Sequence, residues 1–123
     1  MKVPTDTIDS AEVATLEKRL NAAAARLAAL VPSVASGRQV REFDSDRRKS
    51  ALARAMTTFL AAGESATASD AKARASFAYG EEMKALAQQL RDAEHAIAEW
   101  EAAKVEFEAA RSLLSLTKSL STL

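Results

Sequence analysis

The side chain best suited to catalysis or metal binding is that of the chain's single histidine, His95. A metal site needs several converging ligands, and a nucleophilic serine needs a nearby base, so one histidine makes neither site alone. The chain contains no cysteine. Asp92 and His95 show the three-residue spacing of helical di-metal sites only once, with Asp in place of Glu. Helical periodicity places His95 opposite the apolar seam, which predicts an exposed, structural histidine.

Carboxylates and serines are frequent in the second half of the chain, but they do not converge. Glu108 lies four residues after Lys104, the spacing of a solvated ion pair on a helix. The three glycines, Gly37, Gly63 and Gly80, stand apart, so no glycine-rich loop is available to bind phosphate. The sequence therefore predicts a protein that is not an enzyme and has no cofactor. The groups considered are Glu94, Glu99, Glu101, Glu106, Glu108, Ser112, Ser115, Ser119 and Ser121.

Basic side chains are concentrated between residues 38 and 54. Contacts from Lys and Arg to phosphates dominate nucleic-acid affinity, and an aromatic ring can stack on a base. A loop and helix N-terminus carrying these groups would form a nucleic-acid contact surface. Acidic Glu42, Asp44 and Asp46 are interleaved, which favours the alternative of local ion pairing on a solvated surface. This basic cluster consists of Arg38, Arg41, Phe43, Arg47, Arg48, Lys49 and Arg54.

The elements that position these groups are predicted to be helices. A first helix is expected over about residues 10–31, because its apolar residues alternate steps of three and four in a heptad pattern. Pro32 is expected to end it, since proline disfavours a helical conformation in the preceding residue. Residues 32–44 read as an arginine-rich connection, with a short strand possible at RQVREF. The apolar positions are Val13, Leu16, Leu20, Ala23, Leu27 and Leu30.

Two further helices follow in the sequence. The second is expected over 45–62 and ends at Gly63, where a glycine commonly follows a helix. After the turn ESATASD, Ser69 or Asp70 caps a third helix over about 70–118, either continuous or kinked at Gly80. The prediction is thus an all-α fold of three helices, a hairpin or bundle whose last helix is long and resembles a coiled coil.

Composition and charge agree with this fold class. The 123 residues fit a single helical domain, and the scarcity of glycine, proline and aromatics suits close-packed helices. The formal net charge is zero, with an excess of +3 in residues 38–62 and −3 in residues 63–123. No apolar run reaches membrane-spanning length, and MKVPTDTIDS lacks the apolar core of a secretory signal. We therefore expect no membrane association and a cytoplasmic location.

The apolar seam of the third helix is long for so short a chain. Beyond Trp100 the heptad positions become Lys104 and Arg111, and the stripe drifts toward Ala103 and Ala110. That stripe needs either the first helix or a second copy of the chain to cover it, because an exposed apolar stripe is costly. A homo-oligomer is favoured over a compact monomeric bundle. The predicted oligomer or partner interface is Met83, Leu86, Leu90, Ile97, Trp100, Phe107, Leu113, Leu114 and Leu116.

Residues 51–118 resemble a loose family of small, all-helical accessory proteins that bacteriophages encode among early and recombination genes. The resemblance lies in two stretches, ALARAMTTFLAAGESATASDAKARASFAYGEEMKAL and WEAAKVEFEAARSLLSLTK. Their shared pattern is a short helix, a glycine-containing turn and then a long helix. The helix closes with Glu108, Arg111, Ser112 and Ser115 in the pattern E-x-x-R-S-x-x-S. The family has no established catalytic residues to transfer.

The resemblance implies a phage origin and a non-enzymatic accessory role. The expected function is a self-associating module that binds a host or phage protein, either to inhibit a host factor or defence system or to assist recombination. A nucleic-acid-binding accessory protein that uses the basic cluster is the alternative. A virion head–tail component ranks third, on the strength of the possible RQVREF strand.

Overall fold

The computed structural model describes the backbone of residues 5–121 and the side chains of residues 10–120. Three α-helices follow one another: α1 (Thr5–Ala61), α2 (Ala66–Ala75) and α3 (Phe77–Ser121). The described residues contain no β-strand. The prediction of an all-α fold with three helices is confirmed, whereas the bounds of the helices differ from those expected.

The chain divides into two compact units. Unit 1 comprises Met1–Pro32 and Ile97–Leu123, and so pairs the first part of α1 with the last part of α3. Unit 2 comprises Ser33–Ala96, and contains the rest of both helices together with α2. The expectation of a single domain over 1–123 stays a prediction.

The predicted connection over residues 32–44 is wrong, because these residues lie inside α1. Proline costs a helix interior about 3 kcal/mol, and packing can offset that amount. Pro32 is exposed, while Val34 is 4% exposed and Gly37 is buried. The three-and-four spacing of the first helix reaches Val34 and Gly37 from Leu30, so the buried stripe continues across the proline.

The continuity of α1 through residues 32–44 changes three other predictions. The predicted first helix over 10–31 and second helix over 45–62 are parts of one helix. The RQVREF strand is wrong, because residues 38–43 are helical, and the head–tail alternative loses the strand on which it depended. The basic cluster has no helix N-terminus beside it, since α1 begins at Thr5.

The expected third helix over 70–118 is also wrong as a single element, because the chain leaves the helical conformation at Ser76. Ser76 has φ −73° and ψ 144°, an extended conformation. Its Oγ donates to the carbonyl of Ala73 at 2.7 Å and accepts from the amide of Tyr79 at 3.3 Å. One serine therefore caps the end of α2 and the start of α3, whereas Gly80 lies inside α3.

The turn between α1 and α2 was located correctly. Gly63 has a φ of +88°, and the Glu64 amide reaches back to the carbonyl of Phe59 at 3.2 Å, so glycine ends α1 as predicted. The cap of α2 differs from the prediction. Ser65, not Ser69 or Asp70, is the N-cap, and its Oγ accepts from the Ala68 amide at 3.2 Å.

The core of each unit is built from small residues. In unit 1 the buried apolar positions are Ala23, Ile97, Ala103, Ala110 and Leu114. In unit 2 the buried positions are Val34, Gly37, Ala51, Ser69, Ala73 and Ala93. Alanine and glycine in helix interfaces allow the backbones to approach closely, and this explains how a chain with few aromatics packs.

Among the described residues, no helix carries an apolar stretch long enough to cross a membrane.

Candidate interaction surfaces

In unit 1, one side of α3 forms the core. Ala103 is 1% exposed, Ala110 is fully buried and Leu114 is 8% exposed, whereas Lys104 and Arg111 are exposed. The predicted drift of the buried stripe away from the heptad positions is therefore confirmed for the two alanines. Leu113, Leu116 and Leu120 lie elsewhere on the helix.

A second side of α3 in unit 1, next to the covered side, is also apolar, but it is uncovered. Val105 is 68% exposed, Leu113 42%, Leu116 57% and Leu120 59%. At about 100° of rotation per residue, these four side chains lie within about 80° of one another, and the middle of this set is about 120° around the helix from the buried Ala103, Ala110 and Leu114. Ala98, Ala102 and the half-buried Ala109 lie on the same side. We call this surface the outer face: Ala98, Ala102, Val105, Ala109, Leu113, Leu116 and Leu120.

The outer face has a regular spacing. Its seven residues are separated by steps of four, three and four, and then again four, three and four. That is an eleven-residue repeat with about 3.67 residues per turn, which drifts by about 20° over eleven residues of an α-helix and favours a gentle right-handed supercoil. The outer face is thus a second regular packing surface beside the covered one.

The predicted interface residues divide between covered and uncovered positions. Ile97 and Leu114 are buried in unit 1, so one chain already covers them. Leu113 and Leu116 are exposed on the outer face. Val105 was missed, although its position in the eleven-residue repeat was the signal that marks it. The half-buried members are Trp100 and Phe107 in unit 1 and Met83, Leu86 and Leu90 in unit 2.

Ion pairs connect α1 and α3 within unit 1. Arg19 binds Glu106 through two hydrogen bonds, from Nε to Oε1 and from Nη2 to Oε2, the second at 3.1 Å. The hydrogen bond from Arg19 lowers the pKa of Glu106, against a smaller opposing effect of desolvation, and the positive charge of Arg19 lowers it further. Lys118 Nζ lies 3.6 Å from Glu17 Oε1. These pairs fix which turn of α1 lies beside which turn of α3.

The basic cluster lies on α1 in unit 2, and part of it is engaged in ion pairs. Arg48 Nε donates to Asp44 Oδ2 at 2.9 Å, and both side chains are partly buried. Arg54 donates to Glu82 of α3. The expected local pairing is confirmed for Arg48 and Asp44, which lie one turn apart on α1.

Three further basic members of the cluster are exposed, whereas Arg47 is half-buried. Arg38, Arg41 and Lys49 are exposed, and helical periodicity places them on one side of α1. Phe43 is 42% exposed. The structure therefore brings three basic side chains together on one helix face, where they could contact an extended polyanion.

An open groove of about 470 Å³ runs beside Phe43 in unit 2. A second groove of about 350 Å³ follows it toward Phe59 and Tyr79, and Arg54 and Glu82 line both. The ion pair between Arg54 and Glu82 thus lies where the two grooves meet. The first groove is lined by Phe43, Asp46, Arg47, Ser50, Arg54, Glu82 and Leu86.

In the described part of the chain, the side chains that could act in catalysis or metal binding do not come together at one site. His95 is exposed, as predicted. Within the described residues, no group of three or more His, Asp or Glu side chains has the arrangement to hold a metal ion. Two side-chain oxygens in the described residues are buried without a hydrogen-bond partner: Oε2 of Glu64, and Oγ of Ser69, which is fully buried.

Comparison with known proteins adds no relative, because no protein-family model, curated protein or solved structure matches the chain. The resemblance of residues 51–118 to phage accessory proteins stays a hypothesis.

Proposed function

We propose that this protein is a non-enzymatic helical interaction module that self-associates through the outer face of α3. The observation that supports it is the exposure of Val105, Leu113, Leu116 and Leu120, which are between 42% and 68% exposed on one side of one helix. Water contact with that much aliphatic surface is unfavourable by about 25 cal/mol per Å², so a partner that covers it gains stability. Contiguous apolar surface of this kind marks interaction sites.

The outer face is about 33 Å long, from Ala98 to Leu120, at 1.5 Å per residue. One helix of a second chain can cover that length. Contacts limited to such a strip bury less area than the 1,200–2,000 Å² of standard specific interfaces, about half of it at most. We therefore expect a dimer that dissociates on dilution, with a dissociation constant in the micromolar range.

The resemblance of residues 51–118 supports a more specific role. In this proposal the protein is a phage accessory factor of the host cytoplasm that binds a host or phage protein, as an inhibitor of a host factor or defence system or as an aid to recombination. Stoichiometric binding requires no catalytic site, which agrees with a chain whose interaction surfaces are its most distinctive feature.

Light scattering coupled to size exclusion tests self-association directly. At about 100 μM the wild-type chain should have the mass of a dimer, and at low micromolar concentration that of a monomer. Leu116→Glu should remain monomeric throughout, because a charge placed in an apolar contact cannot be desolvated cheaply. Ser115→Glu adds the same charge at the next residue, which is exposed and turned away from the outer face, and should dimerise like wild type. A wild-type monomer at every concentration would refute the proposal.

Nucleic-acid binding is the second candidate, favoured by the exposed Arg41 and Lys49 on one side of α1. Their contact with phosphates would weaken steeply as salt increases. A gel-shift series at low ionic strength should show a shift at micromolar protein that Arg41→Gln and Lys49→Gln together abolish. Absence of a shift for the wild-type chain would remove this candidate.

A further inference from the structure

The side chains of the outer face are distributed unevenly in size along α3. Its first four positions carry alanine, alanine, valine and alanine, and its last three carry leucine. Two straight helices that face each other keep a nearly constant separation of 8–10 Å, set by the side chains between them. Leucine therefore needs a small residue opposite it if the whole length of the face is to pack.

We propose that two copies of the chain pair their outer faces in antiparallel orientation, with the two-fold axis beside Ala109. This inference rests on the proposed self-association and names its geometry. With Ala109 opposite its own copy, Leu113 of one chain lies level with Val105 of the other. By the same symmetry Leu116 lies level with Ala102, and Leu120 with Ala98. Every leucine then meets a smaller residue, and the total side-chain volume is similar along the whole pair.

Parallel pairing has the opposite result. Each residue of the outer face then lies level with itself, so leucines oppose leucines at one end and alanines oppose alanines at the other. The leucine end requires a wide separation and the alanine end a narrow one. Straight helices with an eleven-residue repeat cannot satisfy both, and voids of that size remove the contacts that stabilise packing.

The polar residues beside the outer face favour the same orientation. At about 100° of rotation per residue, one edge of the outer face carries Glu101, Glu108, Ser112 and Ser119, and we call this edge a flank. In an antiparallel pair this flank faces the same flank of the second chain. Glu108 then lies within about 3 Å, along the axis, of both Ser112 and Glu108 of the second copy, and Glu101 within the same distance of Ser119. Ser112 and Ser119 can donate hydrogen bonds to these carboxylates, and the two copies of Glu108 form one like-charge pair across the flank.

In a parallel pair this flank faces the other flank of the second copy, which carries Glu99 and Glu106. Glu101 would then face acidic side chains of the second copy. Like charges across a helix pair are destabilising, and the parallel pair brings Glu101 near Glu99 and Glu108 near Glu106 in both directions, whereas the antiparallel pair has the single contact between the two copies of Glu108.

Disulfide trapping distinguishes the orientations, because the natural chain has no cysteine. Single variants Ala102→Cys, Ala109→Cys and Leu116→Cys are oxidised at a concentration where wild type is dimeric. Antiparallel pairing predicts a covalent dimer from Ala109→Cys alone. It predicts at least a tenfold lower yield from Ala102→Cys alone, since its two sulfurs would be about 21 Å apart along the axis, far beyond disulfide reach.

Oxidation of a mixture of two cysteine variants distinguishes the two orientations most sharply. A mixture of Ala102→Cys with Leu116→Cys should give a crosslinked heterodimer at least tenfold more abundant than either homodimer. Homodimers of Ala102→Cys and Leu116→Cys in high yield would establish parallel pairing and overturn the inference. Failure of Ala109→Cys to crosslink in a dimer that Leu116→Glu disrupts would overturn the register.

The two proposals fail separately. A wild-type monomer refutes self-association itself. A wild-type dimer that Leu116→Glu leaves intact refutes the outer face as the contact surface. A dimer that Leu116→Glu dissociates, but whose cysteine pattern is parallel, leaves self-association standing and refutes only the antiparallel arrangement.

Discussion

A Cβ atom attached to Gly37 would lie 2.9 Å from the carbonyl oxygen of Ala93 and 3.3 Å from its Cα. The backbones of α1 and α3 are therefore in direct contact at this point of unit 2. Glycine at position 37 serves close helix approach rather than a turn, because Gly37 lies inside α1.

The first prediction is that Gly37→Ala destabilises the protein, although alanine is the better helix former by about 1 kcal/mol. The new methyl group meets backbone, which cannot rotate away, so the two helices must separate. Overpacking of this kind costs about 1–3 kcal/mol, so after the propensity gain the free energy of unfolding should fall by up to about 2 kcal/mol. Denaturant titration monitored by circular dichroism measures the change.

Gly80→Ala is the matched control for this prediction. Gly80 also lies in a helix interior, but an added Cβ there has no neighbour within 4 Å. Only the propensity gain remains, so the free energy of unfolding should rise by about 0.5–1 kcal/mol. If both substitutions stabilise the protein, the close approach of Gly37 to Ala93 is incorrect.

The continuity of α1 shows what the sequence could and could not predict. Fold class, the glycine at the end of α1 and the drift of the buried stripe followed from local periodicity. The proline rule failed at Pro32, because it describes the residue before proline in isolation. Val34 and Gly37 extend the packed stripe of α1 beyond that residue, and tertiary packing outweighed the local preference.

The other misplaced features have physical causes of the same kind. Ser76 interrupts the helix because its hydroxyl offers hydrogen bonds to the backbone at two helix ends, and serine composition alone does not reveal this. Val105 lies at neither of the two apolar positions of the seven-residue repeat, and the eleven-residue repeat of the outer face is what marks it. The pairing of Arg48 with Asp44 was visible in their four-residue spacing, whereas the contact between Arg19 and Glu106 spans 87 positions and requires the fold.

The second prediction concerns pH. Arg19 lowers the pKa of Glu106 below its usual value of 4.5, mainly through the hydrogen bond. A carboxylate with a lowered pKa stabilises the folded state above its unfolded pKa, and this stabilisation is lost as the pH falls through the folded pKa. Wild type should therefore exceed Glu106→Gln in stability near neutral pH, and the difference should shrink as the pH falls below about 4.5.

A double-mutant cycle isolates this pair. In an Arg19→Gln background, Glu106 has lost its partner, so adding Glu106→Gln should leave the pH profile of unfolding unchanged. The check is a series of thermal melts from neutral to acid pH for the four chains. A difference between wild type and Glu106→Gln that persists unchanged into acid would contradict the assignment.

The third prediction is that Ser69→Ala stabilises the protein. Ser69 is fully buried and its Oγ has no hydrogen-bond partner, so the folded state leaves a polar group desolvated. Removing an unsatisfied buried hydroxyl restores about 1 kcal/mol or more to the free energy of unfolding. Ser65→Ala should have the opposite effect, a loss of about 1 kcal/mol, because Ser65 Oγ caps α2. Destabilisation by Ser69→Ala would mean that its hydroxyl is satisfied in the folded protein.

The fourth prediction joins stability to the outer face. If unfolding dissociates a dimer, mass action stabilises the folded state as the protein concentration rises. For a chain of 123 residues, the midpoint temperature should increase by about 2–3 °C for each tenfold rise in concentration above the dissociation constant. Leu116→Glu should give a midpoint that is independent of concentration. Ser115→Glu should follow wild type, since it adds the same charge one residue away from the contact. A concentration-dependent midpoint in Leu116→Glu would place the association on a surface other than the outer face.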